Sequence, residues 1–120
     1  MKAQRKKITE NNGLLRSPYL AIHVGSRTYL QAAEIVMISA DISYSYIHLN
    51  DGKKIIVSTN IQKLQERLLG VKNIVRVHRS FMINVNYLKT YDEKKAALRF
   101  NLSCPISRRK KNDLKIALNY

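Results

Sequence analysis

The 120-residue sequence contains 22 lysine and arginine residues against 8 aspartate and glutamate residues, a formal net charge of +14 at pH 7. Its hydrophobic content of 45% is typical of one globular domain and excludes a disordered polycation. No apolar stretch approaches the roughly 18 residues that a transmembrane helix needs, and a single cysteine, Cys104, excludes an intrachain disulfide. An anionic partner is therefore expected, and composition leaves DNA, RNA and an anionic membrane surface open.

Both ends of the sequence carry a disproportionate share of the positive charge. Residues 1–17 hold five basic residues and one acidic residue, as do residues 104–120. Residues 1–17 have neither helical nor strand periodicity, so we predict a flexible basic N-terminal arm followed by one domain over residues 18–120. No apolar segment follows the first basic residues, as a secretory signal would require, and the sequence predicts a cytoplasmic protein.

Short strands dominate the predicted elements. They are expected, in chain order, at residues 19–24, 28–31, 35–39, 44–49, 53–58, 74–77, 87–91 and 97–102. Gly25-Ser26-Arg27 and Asn50-Asp51-Gly52 are turn sequences that predict hairpins, whereas residues 40–43 form a short loop. In the last strand, Leu98, Phe100 and Leu102 alternate with polar residues.

Two helices are predicted among these strands. Thr59 to Gln62 fits a capping box, and Ile61, Leu64 and Leu68 form an apolar stripe that should pack on a sheet. A helix near the C-terminus is expected to begin at Ser107, whose hydroxyl would cap it. The sequence therefore predicts a mainly β fold with one short helix in the middle and one at the C-terminus.

Patterns typical of enzymes and metal sites are missing from the sequence. His23, His48 and His78 lie in separate predicted strands, without cysteine or carboxylate groups at metal-ligand spacing. His78 and Ser80 have no orienting acid that would make them a catalytic pair. The four glycines form no phosphate-binding loop. We therefore predict a protein that is not an enzyme and that binds no metal or cofactor.

Two segments combine positive charge with a defined shape. If the strand after residue 74 continues, Arg76, His78 and Ser80 share one face, whereas Arg79 projects from a loop if the strand ends there. Residues 107–111 place four cations at the expected start of a helix, where the helix dipole disfavours positive charge. A bound polyanion would offset this cost, and an ordinary solvated basic turn is the alternative.

Residues 75–84, Val-Arg-Val-His-Arg-Ser-Phe-Met-Ile-Asn, resemble the signature of the LytTR DNA-binding domain of bacterial response regulators and transcription factors. Further similarity, in order and spacing, lies at residues 40–41, 44–45, 51–52, 59–69 and 105–109. The resemblance covers residues 18–118 and implies an elongated arrangement of small antiparallel sheets. In that family, loops enter successive major grooves, bend the duplex and bring two copies onto direct repeats.

The resemblance also implies which residues contact DNA. Tyr44 and Ser45 lie where the family's first DNA-contacting loop meets its strand. Arg79 follows the motif histidine, a position from which a side chain reads a base edge, and Arg109 matches the contacting residue of the closing motif. The expected DNA-binding residues are Tyr44, Ser45, Arg79, Ser107, Arg108, Arg109 and Lys110.

Two further motif residues, His78 and Asn84, are expected to be structural, as a buried hydrogen-bonded histidine and a turn asparagine. The prediction is sequence-specific binding of double-stranded DNA in bacterial transcription regulation. The protein would associate with the nucleoid, as a homodimer or as paired copies on a direct repeat, and not with a membrane. An RNA-binding or ribosome-associated β protein shares the charge and the aromatic residues and is the alternative. A second alternative is a module that docks on an acidic protein or an anionic lipid.

Overall fold

The computed structural model describes residues 21–119, which form ten strands, two α-helices and two 3₁₀ turns. The strands are β1 Ala21–Gly25, β2 Thr28–Gln31, β3 Ile35–Asp41, β4 Tyr44–Leu49, β5 Lys54–Val57, β6 Ile74–His78, β7 Phe81–Asn84, β8 Leu88–Tyr91, β9 Lys95–Leu98 and β10 Leu102–Pro105. The helices are α1 Ile61–Arg67 and α2 Lys111–Leu118, and the 3₁₀ turns are Ala32–Glu34 and Val85–Tyr87. The predicted mainly β fold is confirmed. The arm expected at residues 1–17 lies outside the described residues.

Three antiparallel sheets build the fold. β1 pairs with β2, a three-stranded sheet has the order β10-β9-β8, and a five-stranded sheet has the order β5-β4-β3-β7-β6. The described part of the chain extends 46 × 33 × 24 Å along its principal axes. The elongated arrangement of small sheets that the resemblance implied is therefore present.

The five-stranded sheet separates two hydrophobic cores. Met82 and Ile83 are neighbours in β7 and point to opposite faces, so one belongs to each core. The first core also holds residues of β1 and the apolar stripe of α1, including Leu64. The second core holds residues of β9, β10 and α2, including Leu98 and Leu114. The first core covers one face of the sheet, whereas the second covers the other face over β3, β7 and β6 but not over β4 and β5, where Ile56 is exposed.

The strand predicted at residues 97–102 is wrong. β9 ends at Leu98, β10 begins at Leu102, and these two leucines are partners across the hairpin. Phe100 and Asn101 lie in the turn with φ of 65° and 60°, and Phe100 is exposed. Apolar residues at positions 98, 100 and 102 fit one continuous strand. They fit a hairpin equally well when the apolar residues 98 and 102 stand on either side of its turn. The predicted alternation therefore did not distinguish the two.

The start of α1 is one residue later than the capping box predicted. Asn60 is the N-cap, and its Oδ1 accepts a hydrogen bond from the Lys63 backbone N–H at 2.8 Å. Both residue types cap helices, and the Thr-x-x-Gln spacing of a capping box led the prediction to Thr59 instead of its neighbour. The predicted loop at 40–43 is also shorter, because β3 continues to Asp41 and only residues 42 and 43 connect it to β4.

Asn84 ties three segments together at the end of β7. Its side chain is fully buried, and its Nδ2 donates a hydrogen bond to the Ile35 carbonyl at 2.9 Å. Its Oδ1 accepts hydrogen bonds from Asn73 Nδ2 at 2.9 Å and from the Asn86 backbone N–H at 3.0 Å. This is the arrangement expected of a structural turn asparagine.

His48 should make the stability of the fold depend on pH. Its Nε2 lies 3.3 Å from Ser39 Oγ, and burial, together with the charge of Lys54, lowers the pKa of this imidazole. The unfolded chain then binds a proton at His48 more readily than the folded chain does. The free energy of unfolding is therefore at its full value above about pH 6.5 and decreases as the pH falls. We expect an NMR titration of His48 to give a pKa below that of the unfolded chain. His48→Gln should flatten the pH dependence of unfolding in this range; an unchanged profile would contradict the assignment.

Candidate nucleic-acid interface

Two turns lie side by side at one end of the five-stranded sheet. Residues 42–43 join β3 to β4, and residues 79–80 join β6 to β7. Strands β3 and β7 are antiparallel neighbours in which Ser39 lies opposite Phe81. The pairing extends one step further, because the Ala40 N–H donates a hydrogen bond to the Ser80 carbonyl at 2.9 Å. The backbone therefore fixes the position of one turn relative to the other.

A third, basic turn is attached to the same end of the sheet. The Ser107 N–H donates a hydrogen bond to the Val77 carbonyl at 2.8 Å, which places the segment after β10 along the outer edge of β6. Residues 108–110 then form a turn before α2 begins. We call residues 42–44, 79–80 and 107–110 together the turn cluster. Segments that resemble the LytTR family and lie far apart in the sequence thus meet at one surface.

Most of the residues expected to contact DNA are accessible in the turn cluster. Tyr44 is the first residue of β4, and 53% of its surface is exposed. Arg79 is exposed in the turn between β6 and β7, and so are Arg108 and Arg109 in the basic turn. The strand that began at Ile74 ends at His78, so Arg79 projects from a loop and Ser80 does not share a strand face with His78. This was one of the two alternatives left open by the sequence.

Ser45 is buried, and the contact with DNA expected of it does not fit the structure. The residue has no exposed surface, and its hydroxyl donates a hydrogen bond to the Thr59 carbonyl at 2.7 Å. Successive side chains of a strand point to opposite faces, so Tyr44 faces outward while Ser45 faces inward. Ser45 therefore ties β4 to the start of α1.

The basic run lies before the C-terminal helix, so the prediction that Ser107 caps this helix is wrong. α2 begins at Lys111, and both the carbonyl and the hydroxyl oxygen of Ser107 accept a hydrogen bond from the Lys110 N–H, at 3.1 and 3.2 Å. A serine can close an isolated turn with the same hydrogen bond that caps a helix, and this is why the pattern was ambiguous. Lys110 is the N-cap and Lys111 the first helical residue, so the basic turn still lies at the positive end of the helix dipole, a cost that a bound polyanion would offset.

Of these four cations, Lys111 has a close acidic partner, Lys110 has only a distant and exposed one, and the two arginines form no salt bridge within the described residues. Lys111 Nζ forms an ion pair with Glu93, which lowers the pKa of that carboxyl group. Lys110 Nζ lies 4.0 Å from an exposed carboxylate oxygen of Asp113. Within residues 21–119, Arg108 and Arg109 form no salt bridge. Their guanidinium groups are available to an anionic partner.

His78 supports the turn between β6 and β7 from inside. The residue is half-buried rather than fully buried, and its Nδ1 accepts a hydrogen bond from the Ser80 N–H at 3.1 Å. Its ring also forms a T-shaped pair with the Phe81 ring, at 5.6 Å between centroids. The hydrogen-bonded structural histidine expected from the motif is thus directed at the turn that carries Arg79.

Sequence analysis assigned no role to Arg76, which braces the same turn. Its Nε donates a hydrogen bond to the His78 carbonyl at 3.0 Å, and its Nη2 donates to the Arg79 carbonyl. Its Nη1 donates to Gln65 Oε1 of α1 at 2.6 Å. Burial lowers the pKa of Arg76, although an arginine stays charged at neutral pH. No local sequence pattern reveals this brace, because the residues of α1 that it contacts lie 11 and 14 positions earlier in the sequence.

Neither a metal cluster nor a membrane-spanning helix is found in the described part of the chain. Among residues 21–119, no group of three or more histidine, cysteine or acidic side chains could hold a metal ion. No helix in this range is long and apolar enough to cross a membrane.

Comparison with known proteins identifies the family. The sequence model of the LytTr DNA-binding domain matches residues 25–119. No curated protein matches the sequence. A similar solved structure is the LytTr DNA-binding domain of a Bacillus cereus protein described as a methyl-accepting/DNA response regulator, with a TM-score of 0.66 and 15% identity over 88% of this chain and 100% of that chain. That likeness shows the shared fold, and the sequence match spans most of the chain. The resemblance is confirmed, and the chain belongs to the LytTr family of DNA-binding domains, which act in transcription regulation.

Proposed function

We propose that the chain binds double-stranded DNA in a sequence-specific manner through the turn cluster and so regulates bacterial transcription. The observation that carries the proposal is the pair of backbone hydrogen bonds, Ala40 to Ser80 and Ser107 to Val77, that holds the three turns at one end of the sheet. A fixed backbone positions side chains for base readout, whereas charge alone gives only nonspecific affinity. The activity is binding, without catalysis or a cofactor.

Three side chains are proposed to reach base edges. The planar guanidinium groups of Arg79 and Arg109 can each donate two hydrogen bonds to guanine O6 and N7 in the major groove. Tyr44, which is 53% exposed, belongs to the same turn cluster. Arg108 and Lys110 are proposed to contact phosphates, and the basic residues of segment 1–17 add nonspecific attraction. The chain would act in the cytoplasm, in association with the nucleoid.

The width of the sheet supports contact with successive grooves of a bent duplex. The outer turns of the cluster lie at β4 on one side and at the segment attached to β6 on the other. Four strand spacings, roughly 19 Å in total, separate them. This span exceeds the ~12 Å width of one major groove. It is shorter than the ~34 Å between successive grooves on one face of the duplex. Bending of the duplex toward the protein would bring both grooves within reach of the outer turns.

A selection from random duplexes at physiological salt tests the proposal. We expect enrichment of one short motif, repeated in the same orientation if two copies bind side by side. Competition with an RNA duplex should then leave DNA binding intact, because the deep, narrow major groove of A-form RNA does not admit these turns. Recovery of no motif, or displacement by RNA, would contradict sequence-specific DNA binding.

Lys110 should behave as a phosphate contact. We expect Lys110→Ala to weaken binding to specific and scrambled duplexes alike, and to lower the slope of log K against log salt by about one unit. Lys53→Ala is the matched control, because Lys53 is exposed in the turn between β4 and β5 at the opposite end of the sheet. It removes the same charge and should leave the slope unchanged. Equal slopes for the two variants would remove Lys110 from the interface.

A further inference from the structure

Ile42 is the most exposed of the large apolar residues in the described part of the chain, at 94%. It is the first of the two residues that connect β3 to β4, between Asp41 and Tyr44, which are partners in the sheet. The side chain therefore stands at the tip of a tight hairpin, within the turn cluster.

The backbone of Ile42 has a conformation that isoleucine disfavours. Its φ is 57°, in the left-handed region where glycine, asparagine and aspartate are the usual residues. A β-branched side chain is a poor choice there, and full exposure means that core packing does not compensate. Neither the turn nor the core therefore accounts for an isoleucine at this position. Backbone strain of this kind persists at sites where a side chain has a function.

We propose that Ile42 contacts the C5-methyl group of a thymine in the major groove, and that it thereby distinguishes thymine from cytosine. The inference rests on the proposed DNA binding and extends it to one base. The thymine methyl is the apolar group on the floor of the major groove and is read by apolar side chains. Ile42 is carried by the turn that the Ala40 to Ser80 hydrogen bond places beside Arg79. An arginine that reads guanine and an isoleucine that reads thymine would thus approach neighbouring base pairs.

The surroundings of Ile42 favour this partner over a protein or a lipid. Exposed cationic groups share the surface, including Arg79, Arg108 and Arg109. Within residues 21–119, the only acidic residue next to the hairpin tip in sequence is Asp41, whose Oδ2 accepts a hydrogen bond from the Tyr46 hydroxyl at 3.1 Å. An apolar tip among cations fits the major groove, which offers methyl groups between negatively charged phosphates.

Deoxyuridine scanning tests the contact directly. Each thymine of the selected duplex is replaced in turn by deoxyuridine, which lacks only the methyl group, and affinity is measured for the unchanged protein and for Ile42→Ala. We expect one position at which the unchanged protein loses about fourfold in affinity. This factor corresponds to the free energy gained by burying one methyl-sized group. At that position Ile42→Ala should bind both duplexes equally.

Ile42→Asn separates this role from a structural one. Asparagine tolerates the left-handed conformation, so the melting temperature should rise or stay constant while affinity for the thymine duplex falls. A structural role would instead lower the melting temperature and weaken binding to thymine and deoxyuridine duplexes alike.

Several outcomes would overturn the inference. They are a selected site without thymine, the absence of a sensitive position, and a deoxyuridine effect that persists in Ile42→Ala. If the unchanged protein binds the selected duplex specifically in these cases, the proposed function stands and only the role of Ile42 fails. If the unchanged protein shows no specific binding at all, both fail.

Discussion

Replacing Arg79 with alanine is expected to cost about 1–3 kcal/mol of binding free energy at the selected duplex and to remove the preference for it over a scrambled one. The side chain is exposed, yet the backbone that carries it is held from two directions. Ser80 next to it receives a hydrogen bond at its carbonyl from Ala40 and donates its N–H to His78 Nδ1. Because the turn is already fixed in the free protein, little conformational entropy is lost when Arg79 forms hydrogen bonds with a base.

Two controls separate base readout from charge in this experiment. Arg79→Lys keeps the net charge of +14 but loses the planar fork, so affinity for scrambled DNA should persist while specificity falls. Arg99→Ala removes an exposed arginine from the turn between β9 and β10 and should leave specificity unchanged. Affinities measured by titration over a range of salt concentrations give both quantities. If Arg79→Ala weakens specific and scrambled binding equally, Arg79 is only a phosphate contact.

Elements specified by local turn chemistry could be predicted from the sequence. Gly25 ends β1 with a φ of 137°, where a Cβ would lie 2.6 Å from Thr59 Oγ1, and it marks the first hairpin in the sequence, although the turn itself is formed by Ser26 and Arg27 with φ of 47° and 63°. The second hairpin turns at Asn50-Asp51-Gly52, where Gly52 has a φ of 86°. By contrast, the turn at residues 99–101 holds no glycine, and Phe100 has a positive φ there. Tertiary packing of Leu98 and Leu102 overrides the local preference, which no short pattern reveals.

The residues of the candidate site likewise divide into those that the sequence predicted and those that only the structure reveals. Arg79 and Arg109 were predicted because a motif marks them, and both are exposed in the structure. Ser45 was included because it neighbours Tyr44, although neighbours in a strand face opposite sides of the sheet. Ile42 and Arg76 were missed because their properties, a positive φ and hydrogen bonds that join α1 to the carbonyls of a turn, exist only in the folded chain.

Arg76 should be needed for specific binding without contacting DNA. Its guanidinium group joins α1 to the carbonyls of His78 and Arg79, so Arg76→Ala leaves two turn carbonyls without their donor. A hydrogen bond from a charged donor contributes about 1.5–3 kcal/mol to stability, and we expect a loss of unfolding free energy in that range. The larger effect should be a mobile turn at residues 79–80, with faster amide exchange at Ser80 and reduced preference for the selected duplex.

Two further variants distinguish bracing from a direct contact. Arg76→Lys keeps the charge, but one ammonium group does not reproduce the planar fork that joins four acceptors, so nonspecific affinity should persist while specificity falls. Gln65→Ala removes the shorter of two hydrogen bonds from Arg76 to α1, since Gln62 Oε1 also accepts from Nη1 at 3.4 Å, and it should have a smaller effect in the same direction. Binding is compared at a temperature where circular dichroism shows each variant to be folded. Normal amide protection at Ser80 together with lost specificity would contradict bracing and indicate that Arg76 itself touches DNA.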